Sequence, residues 1–146
     1  EEVLALGGTV VGVIPEQLVT KELAHPALTE LIVTRNMHER KAMMAEMADA
    51  VIALPGGFGT LDELFEMLTW KQLDLHQMPV TILNSAHYYD HLIKHIDHMV
   101  QEGFLKERNL TALHIESNPS DLVSWLMNYE PEKIEKKWIY RGKKEI

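Results

Sequence analysis

The sequence contains no cysteine, which excludes a disulfide framework, a thiolate nucleophile and a thiolate-bound metal. It has no apolar run approaching a membrane span, and no secretory n-region or h-region. It also lacks an excess of positive charge. Fourteen Lys and Arg against 22 Asp and Glu give a formal net charge of -8, which disfavours a nonspecific nucleic-acid surface or an anionic membrane but leaves room for a local basic pocket. A reducing cytoplasm is the expected setting. Two nucleotide signatures are absent as well: there is no G-x-G-x-x-G, and no Gly-Lys-Ser/Thr follows a glycine turn. An initiator Met is missing too. The chain opens on Glu1-Glu2-Val3-Leu4, as if inside the end of a helix that Gly7-Gly8 stops. The expectation is the C-terminal part of a longer chain.

What is present is the composition of an ordinary folded domain. The 146 residues are 46% hydrophobic and 25% charged, enough for one core and against disorder. Thr9–Ile14, Glu30–Thr34, Ala50–Leu54, Val80–Leu83 and Thr111–Ile115 read as short strands. Between and after them, helical spacing predicts helices over Asn36–Ala48, Thr60–Leu75, Tyr88–Gln101 and Pro119–Tyr129, with a short helix or irregular loop over Pro15–Leu23. Alternating strands and helices predict a Rossmann-like doubly wound parallel sheet in three α/β/α layers. Residues 1–130 form one domain in this reading, and 131–146 a charged surface tail with Lys133, Glu135, Lys136 and Lys137.

The chain is organised around Leu54-Pro55-Gly56-Gly57-Phe58-Gly59-Thr60-Leu61-Asp62-Glu63. An apolar strand leads in, and Leu61, Leu64, Phe65 and Leu68 lead out at helical spacing. Three glycines in four residues let the backbone N–H groups approach a ligand, and the following helix adds free N–H groups and the positive end of its dipole. That arrangement suits a phosphate. The same residues also have capping-box spacing, with Thr60 as N-cap and Glu63 at N3. A second cluster, Asn36-Met37-His38-Glu39-Arg40-Lys41, opens the preceding helix. Arg40 and Lys41 oppose the helix dipole there, and an anion bound at that end would offset the repulsion. In a doubly wound sheet both clusters fall on the edge where ligands sit.

Together the two clusters carry a resemblance. Met37–Lys41 followed by Pro55–Glu63 is similar to the paired signature of the Lonely guy (LOG) family, the cytokinin riboside 5'-monophosphate phosphoribohydrolases often labelled "possible lysine decarboxylase". Thr69-Trp70-Lys71-Gln72-Leu73, the Pro79–Asn84 segment and Tyr88-Tyr89-Asp90 fit as well, so the likeness covers most of residues 7–130. The family's first two strands and their nucleotide loops have no counterpart here, which predicts a gap in the sheet. The resemblance implies cleavage of a nucleoside 5'-monophosphate to free base and ribose 5-phosphate. It implies Arg40 and Glu63 as the catalytic pair, with Gly56, Gly57, Gly59 and Thr60 on the 5'-phosphate. Met37, Lys41 and Glu66 complete the expected substrate-binding set, Glu66 touching ribose or supporting Arg40 and Lys41 supporting substrate or dimer contacts. No metal or organic cofactor is implied. A homodimer is, with the Thr60–Leu75 helix near its interface.

Three rival readings have distinct marks. Pyridoxal phosphate decarboxylation needs a Schiff-base lysine, and nothing in the sequence singles out Lys41 or Lys71 as one. His87, His91 and His95 recur at every fourth position, with His98 nearby, but without the H-E-x-x-H pattern of a metal hydrolase they read as a solvated helix face. A nucleotide-binding regulatory module would keep the glycine turn without hydrolysis. Asp62 reads as solvated surface, and Trp70 as packing in a core or a subunit interface.

Overall fold

The computed structural model describes residues 1–19, 25 and 27–131. The remainder of the expected Pro15–Leu23 segment after Val19 and the charged residues of the tail lie outside the described residues. Among the described residues five strands and six α-helices follow one another as α1 (Glu2–Ala5), β1 (Val11–Pro15), α2 (Glu16–Val19), β2 (Glu30–Thr34), α3 (Met37–Met47), β3 (Val51–Ala53), α4 (Phe58–Gln72), β4 (Val80–Leu83), α5 (Asp90–Gln101), β5 (Leu113–Glu116) and α6 (Pro119–Met127). All the strand pairs are parallel: Val11 registers with Glu30, Val51 with Val80, and Val80 with Leu113. The fold is Rossmann-like α/β.

The strands do not close into a single ladder. β1 and β2 form one sheet and β3–β4–β5 another. On β2 and β3 the apolar residues Val33 and Ile52 stay 53% and 42% exposed. This is the gap expected from the sequence. β4 is the buried middle of its sheet, with Val80, Thr81 and Ile82 fully covered and the Thr81 hydroxyl donating to the Val51 carbonyl at 2.9 Å. Ala53, Leu64, Met67, Val80, Ile82 and Tyr89 make the main core, with Trp70 and Ala45 packed against it. Ala45 matters because α3 also packs on β1 and β2. α3 therefore bridges the two sheets.

Boundaries fall within three residues of expectation, and the departures have local causes. α4 ends at Gln72 rather than Leu75 because Asp74 turns left-handed (φ 61°), a conformation that Asp tolerates. α5 starts at Asp90 rather than Tyr88, because Ala86 and His87 are also left-handed and the Asn84 side chain takes the Tyr89 N–H. β5 starts at Leu113, after a 3-10 stretch over Glu107–Ala112. Gly7 and Gly103 are left-handed at the ends of α1 and α5, where glycine stops a helix without steric cost. Among the described residues no helix is long and apolar enough to cross a membrane.

Candidate active site

The α4 start differs from the capping box expected of Thr60 and Glu63. The helix begins two residues earlier, at Phe58, with Gly57 as N-cap and no side chain capping it. Thr60 is thus the third helical residue, and the first intrahelical bond runs from the Leu61 N–H to the Gly57 carbonyl at 3.1 Å. The N–H groups of Phe58, Gly59 and Thr60 precede that bond, so the helix itself offers them no acceptor. A Cβ on Gly56 would stand 2.2 Å from Thr60 Oγ1, so only glycine fits there, whereas Gly57 and Gly59 face open space. The result is a bare, positively polarised helix end of the kind that receives phosphate.

Moving the helix start also moves Glu63. It no longer reaches back to a cap but lies one turn into α4, where Oε1 sits 3.3 Å from Arg40 Nη2. The Glu63 side chain is 33% exposed and that of Arg40 23%, so both are held in place yet remain open to a ligand. Arg40 Nη1 rests 4.0 Å from Met37 Sδ. Arg40 Nε is buried and has no partner among the described residues, leaving the guanidinium an unused donor.

Lys41 is more enclosed, with 10% of its side chain exposed. Its ammonium is 2.9 Å from Asp62 Oδ2 and 2.9 Å from Glu66 Oε2. Asp62 and Glu66 are four residues apart and share a face of α4, so one lysine from α3 fits between them. The Asp62 carboxylate, then that of Glu66, holds the Lys41 pKa above its ordinary value. Asp62 stays mostly exposed, as the sequence reading expects, yet also pairs with Lys41, and the carboxylates facing Arg40 and Lys41 come from α4. The paired cations Arg40–Lys41 and the carboxylates Asp62, Glu63 and Glu66 form a charged seam between the helices.

Two tyrosines complete the site from the segment between β4 and α5, and sequence reasoning missed their contacts. The Tyr89 hydroxyl donates to the Leu54 carbonyl at 2.5 Å and that of Tyr88 to the Gly56 carbonyl at 2.8 Å. Their rings meet edge to face, with centroids 4.9 Å apart. Burial holds the Tyr89 pKa above its ordinary value. Asn84 sets this up, its Oδ1 accepting the Tyr89 N–H at 2.7 Å and its Nδ2 donating to Asp90 Oδ1 at 2.8 Å. The Asn84 amide, foremost, lowers the Asp90 pKa. An Asn closing a strand six residues before an Asp was the available signal.

The remaining candidates are elsewhere. Lys71 Nζ lies 3.2 Å from the Tyr129 hydroxyl. His91, His95 and His98 are exposed on α5, and no group of three metal-ligating side chains gathers among the described residues.

The chain is similar to several known proteins. A family model described as possible lysine decarboxylase matches residues 1–126. The cytokinin riboside 5'-monophosphate phosphoribohydrolase of Rhodococcoides fascians is 56% identical over 100 residues, covering 68% of this chain and 50% of the relative. In Arabidopsis thaliana, cytokinin riboside 5'-monophosphate phosphoribohydrolase LOG7 is 45% identical over 126 residues, covering 86% and 58%. LOG1 of the same plant is 46% identical over 136 residues, covering 90% and 62%. The chain therefore spans about half to three-fifths of the length of these relatives.

Proposed function

Because the chain belongs to the possible lysine decarboxylase family, the LOG family of the sequence resemblance, we propose that its site hydrolyses the N-glycosidic bond of a nucleoside 5'-monophosphate. The products are the free base and ribose 5-phosphate. The observation that carries this reading is the Arg40–Glu63 contact at 3.3 Å, one helical turn from an uncapped, glycine-lined helix end. A phosphate on Gly57, Gly59 and Thr60 directs the ribose along α4 toward Glu63. Departure of the base leaves an oxocarbenium-like sugar, which the Glu63 carboxylate stabilises while it directs water. Arg40 orients Glu63, and the exposed part of its guanidinium faces the substrate or negative charge growing on the base.

Lysine chemistry fits poorly. A Schiff-base lysine needs a lowered pKa and a free amine, whereas Lys41 is held protonated between two carboxylates. Lys41 and Glu66 act in this reading as ties that fix α3 against α4, with Glu66 supporting the seam below Arg40. The names of the relatives support a cytokinin riboside monophosphate as substrate, with AMP as the alternative that lacks the apolar tail. A cytoplasmic setting is part of the same reading.

The test is ribose 5-phosphate release from AMP and from isopentenyladenosine monophosphate, with wild type beside Glu63→Gln. The substitution keeps the size of the side chain and removes its charge. The expected loss is about 1,000-fold in kcat, with AMP affinity within a few-fold of wild type. Release that survives Glu63→Gln would overturn the assignment. AMP binding without release from either protein would leave a regulatory nucleotide module.

The outer face of α4 supports a homodimer. Phe58 is 94% exposed and, with Leu61, Phe65 and Trp70, lines a shallow groove of about 550 Å³. Apolar surface of that kind marks an interaction site. Sedimentation equilibrium should give a dimer that Phe65→Glu converts to monomer. A monomeric wild type would refute the assembly.

A further inference from the structure

Removing every side-chain cap from α4 leaves its entry turn with little to define it. Gly57 has no side chain, and nothing would touch a Cβ built there. The peptide between Gly56 and Gly57 is planar and trans, so its carbonyl and its N–H point in opposite directions. Rotating that one peptide would exchange them, presenting a carbonyl oxygen to an incoming anion instead of a donor. Glycine offers little conformational resistance to such a flip. Something else must hold it.

That hold comes from outside the turn. The Gly56 carbonyl accepts the Tyr88 hydroxyl at 2.8 Å, and the Leu54 carbonyl two residues earlier accepts that of Tyr89. Ala86 and His87 are left-handed, with φ 52° and 62°, a conformation that ordinary residues keep only when the surroundings enforce it. Here the buried Asn84 enforces it by gripping both Tyr89 and Asp90. The bend delivers the tyrosines side by side.

We propose that Tyr88 is a positioning residue. Its hydroxyl locks the Gly56–Gly57 peptide in the orientation that presents the Gly57 N–H, alongside the free N–H groups of α4, to a phosphate. Tyr89 is the buttress, fixing the Leu54 end of the turn and the edge of the Tyr88 ring. The inference rests on the phosphate reading of this turn, not on hydrolysis.

The test is Tyr88→Phe, which keeps the ring and its packing on Tyr89 and removes the hydroxyl. Tyr88 is 54% exposed, so the variant should fold with an unchanged melting temperature. Calorimetry with inorganic phosphate and with AMP should show affinities weakened about tenfold, the scale of one lost hydrogen bond. In turnover KM should rise by a similar factor while kcat at saturation stays within about twofold, as expected when ground-state and transition-state binding fall together. A merely structural tyrosine would instead lower the melting temperature and leave phosphate affinity alone. Unchanged phosphate affinity in Tyr88→Phe overturns the proposal, as does a wild-type protein that binds no phosphate. Weakened phosphate binding in a protein that releases no ribose 5-phosphate would sustain the latch and reject the hydrolase reading.

Discussion

The N-termini of α3 and α4 begin from nearly the same sequence pattern and end in opposite states. Each helix follows a parallel strand, and each pattern puts a polar residue three positions before a glutamate: Asn36 and Glu39, then Thr60 and Glu63. At α3 the pattern closes on itself. Asn36 Oδ1 accepts the Glu39 N–H at 2.9 Å, and Glu39 Oε2 accepts the Arg35 N–H at 2.9 Å. The Arg35 guanidinium pairs with the same carboxylate and holds its pKa low. At α4 the helix starts ahead of Thr60, no side chain caps it, and Glu63 turns sideways to Arg40. One end is sealed by the protein. The other has no side-chain cap, and so lacks an interaction that stabilises a helix by about 1 kcal/mol.

Sealing the open end is the strongest way to break this difference. Gly57 has room for a side chain, and its φ of -98° lies outside the left-handed region that favours glycine. Gly57→Asp would place a carboxylate where Asn36 places its amide oxygen on α3, occupying the free N–H groups and repelling anions. Affinity for AMP and for inorganic phosphate should fall about 100-fold. Folding stability should rise by about 0.5 kcal/mol, since Asp caps better than Gly and its charge suits the dipole. Calorimetry and urea unfolding measure the two effects separately. A variant that still binds phosphate would show that the bare helix end is not the anion site.

Much of this was readable in advance, and the exceptions share a cause. Glu30–Thr34 and Val80–Leu83 lie where their β-branched runs put them, the second buried and the first largely exposed. Asn36 caps α3 as its spacing indicates. The Gly56–Gly59 turn was legible as a break between strand and helix because glycine content is a local property. What was not legible depends on partners distant in sequence. The position of Thr60 was misread because capping-box spacing fits two helix starts, and the choice between them follows from the fit of Thr60 Oγ1 over Gly56. The pairing of the exposed Asp62 with Lys41, 21 residues away, was invisible in the sequence. Tyr88 and Tyr89 reach back 32 and 35 residues to the turn, a contact that no helical or strand period encodes.

The sealed end supplies the converse and smaller experiment. Asn36→Ala opens α3 without adding any charge, and the lost cap should cost about 1 kcal/mol in urea unfolding. Asn36→Asp should recover that stability, because its carboxylate accepts the same N–H and suits the dipole. Phosphate affinity should not change in Asn36→Ala, since the proposed anion site is built from α4 and not from α3. Arg40 and Lys41 ride on the first turns of α3, so fraying there should loosen Arg40 against Glu63. A fall of a few-fold in kcat is expected, about two- to fivefold if the pair is misaligned for part of the time. Under the proposed function the two helix ends separate two tasks, binding on α4 and alignment of Arg40 against Glu63 from α3. If Asn36→Ala instead weakened phosphate as much as Gly57→Asp does, both ends would belong to one anion site, and the distinction between a sealed and an open terminus would fail.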